Sequence, residues 1–443
     1  MNLSIVEGKE LQLYPVEKVV PMYDWLAFFL KVAERLEQEH PLKFSVKGTK
    51  YDRANYWQAL AYKVLTQQPM KAALDELDKA LFQRGHPGEE PALLRGEVER
   101  HARVVPHKTQ MQEFVKHLPK AFKAKMVEEI FHTFCTVAFE LGLIEKSIYV
   151  LIDYTHEWFY GEVSPQNQAE LTGSNKGPGT KWGRKYGALM LSSGTTRLFC
   201  GLFLSKKGHS KVPGILQAIN LLRSWGFTIE HVTGDREISC YDVMSSLLAQ
   251  GTLYLGSIKR LPKAVKDAIK AYLAGTGKSV VAITLHPTPT CQYDNGPLQC
   301  YLILKPDRGK RVGYLQAEIA AGTLTEKKAM EHVHAFVTTM RAPRNKHRWG
   351  NWGLGLVRRF SKRWRIETGF RDMRRHVPVS RARNAATKTL LVVFQMFAYN
   401  CWQIQRALHR KLRRVPKVWR EGPTLERFRK RIEDEVRVGA CAI

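Results

Sequence analysis

Three acidic residues in this 443-residue chain stand where a carboxylate could do chemistry. Glu367 lies in 360-FSKRWRIETGFRDMRR-375, among arginines at 363, 365, 371, 374 and 375 that interleave with Trp364 and Phe370. In that company an acid is either a salt-bridge anchor for Arg363 or Arg371, or a metal ligand placed beside a polyanion. Asp153 closes the apolar run IYVLID. A carboxylate inside such a strand is costly unless it is paired or metal-bound, although it can also accept backbone hydrogen bonds in a turn. Asp235 ends FTIEHVTGD, where a strand gives way to a helix. That is a usual place for catalytic groups in α/β sheets, and equally a place for a helix cap.

Together the three acids suit a pair of hard cations, Mg²⁺ or Mn²⁺, which take oxygen ligands and keep several waters. Two such ions stabilise the attacking and leaving oxygens of an in-line phosphoryl displacement. Residues 360, 363, 367, 371 and 374 recur at helical spacing, so one continuous helix is predicted to align Phe360, Arg363, Glu367, Arg371 and Arg374 on one face. Guanidiniums beside a metal-bound acid can grip phosphates bidentately.

Charge points to the same class of partner. Seventy Lys and Arg against 41 Asp and Glu leave a net charge of +29, a field that concentrates phosphate polyanions. The bases spread over most of the chain instead of forming one amphipathic helix, which disfavours an acidic-membrane binder. Seven scattered cysteines without a CxxC pair argue against a structural zinc site and a disulfide framework. The first residues lack the basic and apolar pattern of a secretory signal. The apolar segment 389-TLLVVFQMFAYNCWQI-404 is short for a bilayer and carries Gln395 and Asn400, so it reads as a buried helix. A cytoplasmic, nucleoid-associated protein is expected.

The elements that must position the acids follow from hydrophobic period. Residues 1–45 read as a lead-in with one amphipathic helix over 22–39, and 46–145 as a helical region suited to a helix-turn-helix DNA-binding module. At 147 the period changes: strands, then alternating helix and strand, describe an α/β domain with a mixed sheet over 146–260. Residues 261–330 read as an antiparallel β insertion whose strands include SVVAITL, LQCYLILKP and VGYLQAEIA. The core resumes over 331–385, and 386–443 is a basic helical tail. A Gly/Lys loop at 172–187 offers Lys176, Lys181, Arg184 and Lys185 to a phosphate backbone. Trp182 in that loop, and Trp349 and Trp352 before the Glu367 helix, are candidates to splay a base, with core packing the commoner fate of a Trp.

The spacing Phe360-x2-Arg363-x3-Glu367-x6-Arg374 resembles the Tyr-x2-Arg-x3-Glu-x6-Lys signature of the insertion-sequence-four group of DDE transposases. RWRIETGFRDMRR is similar to that family's RWxIExxFRxxK block, and Asp235-Arg236 to its Asp-Arg pair. The resemblance covers roughly 147–405. It implies a ribonuclease H-like core with Asp153, Asp235 and Glu367 as catalytic metal ligands for two Mg²⁺ or Mn²⁺ ions. It also implies that Phe360, Arg363, Arg371, Arg374 and Arg236 contact DNA, and that a β insertion precedes the Glu. The implied activity frees a 3′-hydroxyl at a transposon end, passes through a hairpin in many members, and joins the end to target DNA. The implied partners are double-stranded terminal inverted repeats, target DNA and a second copy of the chain, with no nucleotide cofactor. Phe360 stands where the family has Tyr, Arg374 where it has Lys, and EISCYDVM departs from the usual continuation after Asp-Arg. A structure-selective nuclease on the same fold, and a transposase-derived DNA-binding protein without activity, are the alternatives.

Overall fold

The computed structural model describes residues 25–42, 51–85, 105–177, 179–259, 262–307, 309–374, 382–411 and 424–437. The chain divides into two units, one spanning Ile144–Arg371 and one built from both ends, Met1–Leu143 with Asp372–Ile443. The first half of the latter holds α1 (Trp25–Glu39), α2 (Arg53–Thr66), α3 (Met70–Gly85), α4 (Lys108–His117) and α5 (Lys120–Glu140). Asp52 and Asn55 satisfy each other's backbone N–H at the start of α2, a reciprocal cap. A helix over 109–122 is expected from the pattern, but the break falls earlier. Pro119 precedes the first turn of α5 and ends the preceding helix, as its missing N–H and fixed φ favour.

Among the described residues, unit Ile144–Arg371 is organised on one nine-stranded sheet. Its strands are β1 (Ser147–Trp158), β2 (Thr172–Gly177), β3 (Thr180–Ser193), β4 (Thr196–Ser205), β5 (Thr228–Gly234), β6 (Leu253–Ser257), β7 (Val280–Leu285), β8 (Leu298–Pro306) and β9 (Val333–Thr338). Val150, Leu151 and Ile152 are wholly buried, as an uninterrupted apolar run covered on both faces requires. β1 pairs antiparallel with β3 and parallel with β5; β3 pairs antiparallel with β4, and β5 parallel with β6. In the order β4-β3-β1-β5-β6 only β3 runs against the other four, which is the ribonuclease H-like arrangement. Helices α6 (Val212–Ser224) and α7 (Tyr241–Ala249) make the connections into β5 and β6.

Three sequence expectations differ here. The 172–187 segment is a hairpin, β2 against β3, with Thr172 opposite Gly183 and Gly177 opposite Thr180. The 261–330 strands do not form a layer of their own, because β7 pairs β8, β8 pairs β9 and β9 pairs β6, which extends the same sheet. VGYLQAEIA is a helix: after α8 (Lys263–Leu273) come α9 (Val312–Ala320) and α10 (Glu326–Glu331). Leu315 is the buried residue of α9, and its Leu, Gln, Ala and Glu are better helix formers than strand formers.

The stretch carrying Glu367 is not one helix. It forms α11 (Trp349–Ser361) and α12 (Trp364–Arg374), separated by Lys362 and Arg363. Across the joint, Arg363 N bonds to Phe360 O at 2.9 Å and Ile366 N to Arg363 O at 3.0 Å, three-residue bonds that tighten the turn. Packing supplies the reason. Leu356 and Val357 of α11 belong to a cluster with Leu255, Val280, Ile303 and Phe336, against which Trp349, Trp352 and Phe360 also pack. The apolar residues of α12 turn elsewhere: Ile366 is buried, and Phe370 stacks on Phe199 of β4 at 5.4 Å. A Cβ on Gly353 would lie 2.7 Å from Val280 Cγ2, so α11 approaches the extended sheet through a glycine.

The terminal unit is completed by α13 (Ala385–Lys411) and α14 (Leu425–Arg437). Phe394 and Phe397 of α13 meet Phe28, Phe29 and Phe134 with ring centroids 4.9–5.8 Å apart, which makes the apolar 389–404 segment a core helix. Among the described residues, no helix is long and apolar enough to cross a membrane.

Candidate active site

Sheet register brings the two aspartates side by side. Ile152 of β1 pairs with Gly234 of β5, so Asp153 and Asp235 are the next residues on adjacent parallel strands. Gly234 is required there, because a Cβ would meet Tyr254 Oη at 2.6 Å and Ile238 Cβ at 2.7 Å. The chain then folds back over Asp235. One carboxylate oxygen, Oδ1, accepts the backbone N–H of Glu237 at 2.9 Å and of Ile238 at 3.0 Å. Ser239 Oγ donates to Asp235 O at 2.8 Å and is 2.7 Å from Tyr254 Oη. The capping reading of Asp235 is thus realised on one oxygen, and Oδ2 has no hydrogen-bond partner among the described residues. Lys185 of β3 pairs with the Glu237 carboxylate, and Lys211 donates to the Glu237 carbonyl. Both lysines lie over the Tyr154 ring, at 4.1 and 5.9 Å. The aspartate-bearing turn is therefore strapped to β1 and β3.

Glu367 joins the aspartates through an arginine. Arg363 Nη1 donates to Asp153 Oδ2 at 2.8 Å and its Nη2 to Glu367 Oε1 at 2.5 Å. Asp153 Oδ1 accepts the N–H of Tyr154 at 2.8 Å. Burial pushes the Asp153 carboxyl up to about 6; Arg363 opposes this, while Asp235 and Glu367 add like-charge repulsion. Asp235 and Glu367 thus both lie near enough to act on the Asp153 carboxyl. The helix start is tied down by Arg365, whose Nη1 reaches Ser192 Oγ at 2.9 Å, Gly194 O at 3.0 Å and Tyr149 Oη at 3.3 Å. Tyr149 stacks flat on His231 at 5.3 Å. Burial pushes His231 down to about 4, with Arg359 adding to the effect.

The donor set suits a hard divalent cation: three carboxylates, two at neighbouring strand ends and one on a helix. As the side chains stand, no three His, Cys, Asp or Glu among the described residues are gathered closely enough to hold a metal ion.

The other expected contacts differ in exposure. Arg236, Lys181, Arg371 and Arg374 are exposed. Arg184 is not a surface phosphate contact: its side chain is 2% exposed, pairs with Glu170 at 3.2 Å and lies 4.9 Å over the Phe159 ring. Lys185 is spent on Glu237. The Lys176 side chain lies outside the described residues. Trp349 donates to Pro343 O at 2.8 Å, and Trp349 and Trp352 both set their rings edge-on to Tyr301. Phe360 sits edge-on to Phe336 at 5.1 Å. Trp182, on β3, is partly buried. Trp364, between Arg363 and Arg365 in the chain, is 65% exposed. Sequence reasoning passed over Arg365, Lys211 and Glu237 as positioning groups. Arg365 is one of many arginines in its segment, and neither Lys211 nor Glu237 stands out by spacing.

The fold and these acids define a ribonuclease H-like α/β protein with a carboxylate site at the ends of its parallel strands. No family model matches the chain, and a comparison with curated proteins gives no match. Among solved structures it is similar to a piggyBac transposase in a synaptic complex with hairpin DNA, at 10% identity and a TM-score of 0.45, over 96% of this chain and 80% of that one. The functional reading rests on the site itself.

Proposed function

We propose that the chain is a metal-dependent DNA transposase of the insertion-sequence-four type, cutting phosphodiesters at the ends of a mobile element and joining the freed 3′-hydroxyls to target DNA. What supports the reading is geometry: Asp153 and Asp235 follow paired residues of adjacent parallel strands, and Arg363 links Asp153 to Glu367, on a fold whose connections bring together residues far apart in sequence. Asp153, Asp235 and Glu367 would hold Mg²⁺ or Mn²⁺, two ions in all. When bound, the ions would supply an activated oxygen nucleophile and neutralise charge on the phosphorane and leaving oxygen. The strap through Lys185 and Lys211 holds the Asp235 turn, and Arg365 holds α12, so the elements that carry the acids are anchored by neighbours that do not react.

The exposed Arg236, Arg371 and Arg374 supply phosphate contacts by charge. Trp364 offers a stacking face for an unpaired base, as a hairpin route would need. End recognition would fall to the helical unit, and cutting both ends of an element calls for a second copy. The test is incubation of the full chain with Mg²⁺ and duplexes taken from the DNA flanking its own gene. Nicking with a 3′-hydroxyl product, followed by joining of a pre-cut end to plasmid, supports a transposase. Cutting without joining would mark a structure-selective nuclease, and binding without cutting an inactive descendant.

A further inference from the structure

We propose that Arg363 is the resident counter-cation of the acid site, and that its guanidinium must leave Asp153 and Glu367 before they can take a divalent cation. The inference rests on the metal reading of these acids given above. Two nitrogens of one guanidinium are divided between two acids, at 2.8 Å to Asp153 and 2.5 Å to Glu367. The third nitrogen, Nε, is buried with no hydrogen-bond partner among the described residues. The guanidinium is thus held by the two acids and by the Phe360 ring 5.6 Å away, and its own donors are not all satisfied. A buried donor left unpaired costs on the order of 1–3 kcal/mol, so this seat holds Arg363 less firmly than a fully bonded one would.

The surroundings allow the side chain to leave without the backbone. Arg363 lies in the two-residue joint between α11 and α12, and its backbone is held there by bonds to Phe360 O and from Ile366 N. Arg365, two residues on, stays bonded to Ser192, Gly194 and Tyr149, so α12 and Glu367 keep their place. Once out, the guanidinium needs an anion, and a DNA phosphate offers it a bidentate one. A cation and the guanidinium cannot share the same two carboxylates without strong like-charge repulsion. Metal and DNA therefore bind cooperatively: DNA draws Arg363 off the acids, and by linkage each ligand tightens the other by the same factor.

The test is Mn²⁺ binding to the full chain, measured by calorimetry and by electron paramagnetic resonance of the unbound ion, with and without a duplex from the flanking DNA. Without DNA, Arg363→Gln should bind Mn²⁺ about tenfold more tightly than the wild type, and the duplex should tighten Mn²⁺ more in the wild type than in the variant. Equal or weaker Mn²⁺ binding by Arg363→Gln, or equal tightening by DNA in both, overturns the proposal. Should Arg363→Gln lose its native circular dichroism, Arg363→Lys decides. A single ammonium cannot span both acids as the fork does, so its Mn²⁺ affinity should exceed the wild type's, and an affinity at or below the wild type's overturns the proposal. Asp153→Asn separates the two levels. If it abolishes Mn²⁺ binding while Arg363→Gln changes nothing, only the role of Arg363 fails. If it binds as the wild type does, the metal reading of the site fails and this inference with it.

Discussion

Asp153 and Arg363 are 210 residues apart in sequence and 2.8 Å apart in space. The pair links the joint between α11 and α12 to β1, and through the same guanidinium it reaches Glu367. Both readings of Glu367 that the sequence leaves open therefore meet in one geometry. It is a salt-bridge partner of Arg363 in the structure, and the acid that would take metal if the bridge opens.

Substituting Asp153→Asn, Asp235→Asn or Glu367→Gln should each remove DNA cleavage while leaving DNA binding in place. Cleavage of labelled flanking duplex and a gel-shift titration check this together; a variant cutting at the wild-type rate would refute its assignment.

The Asp153 carboxyl lies at about 6 in the folded chain against an ordinary 3.8. Between those values the folded state holds the proton more tightly than the unfolded one. The stabilisation this gives is complete below the unfolded value and is lost as pH rises through the folded one. Urea melts across pH 4 to 7 should show the wild type losing stability relative to Asp153→Asn as pH rises. Parallel curves would show that Asp153 is not the group responsible.

Gly234→Ala should cost about 1–3 kcal/mol, the usual range for overpacking a closed site, since its Cβ would meet Tyr254 Oη and Ile238 Cβ. Because the turn bearing Asp235 follows directly, cleavage should fall more steeply than stability. Chemical denaturation and cleavage rates measured on one preparation separate the two effects.

Much of this site was legible from residue order. IYVLID, FTIEHVTGD and the Arg-Glu-Arg register each marked an acid, because a buried strand and a strand end leave plain signals of hydrophobicity and turn. What local pattern could not show was tertiary. The Lys362–Arg363 joint follows from α11 and α12 packing on different parts of the sheet, and helical spacing continues unbroken through it. Strands β7 and β8 look like an insertion because nothing in their sequence reveals that β8 pairs with β9, and β9 with β6. Arg184 reads as a phosphate contact until Glu170 and Phe159 are seen to enclose it.

Affinity for flanking DNA should fall steeply with salt, with a log–log slope near −0.9 for each phosphate neutralised. Replacing exposed Arg236 or Arg371 by Ala should flatten that slope by about one contact each. Replacing Arg184, which is buried in its pair with Glu170, should lower stability and leave the slope unchanged. Fluorescence anisotropy over a salt series reads the slopes, and a shallower slope for the Arg184 variant would count against its structural role.

The central claim is that Asp153, Asp235 and Glu367 share metal. The most direct measurement is anomalous scattering from crystals of the full chain grown with flanking duplex and Mn²⁺. The account predicts Mn²⁺ peaks against all three carboxylates, with the Arg363 guanidinium turned onto a phosphate. Mn²⁺ bound elsewhere, with Arg363 still bridging Asp153 and Glu367, would contradict it.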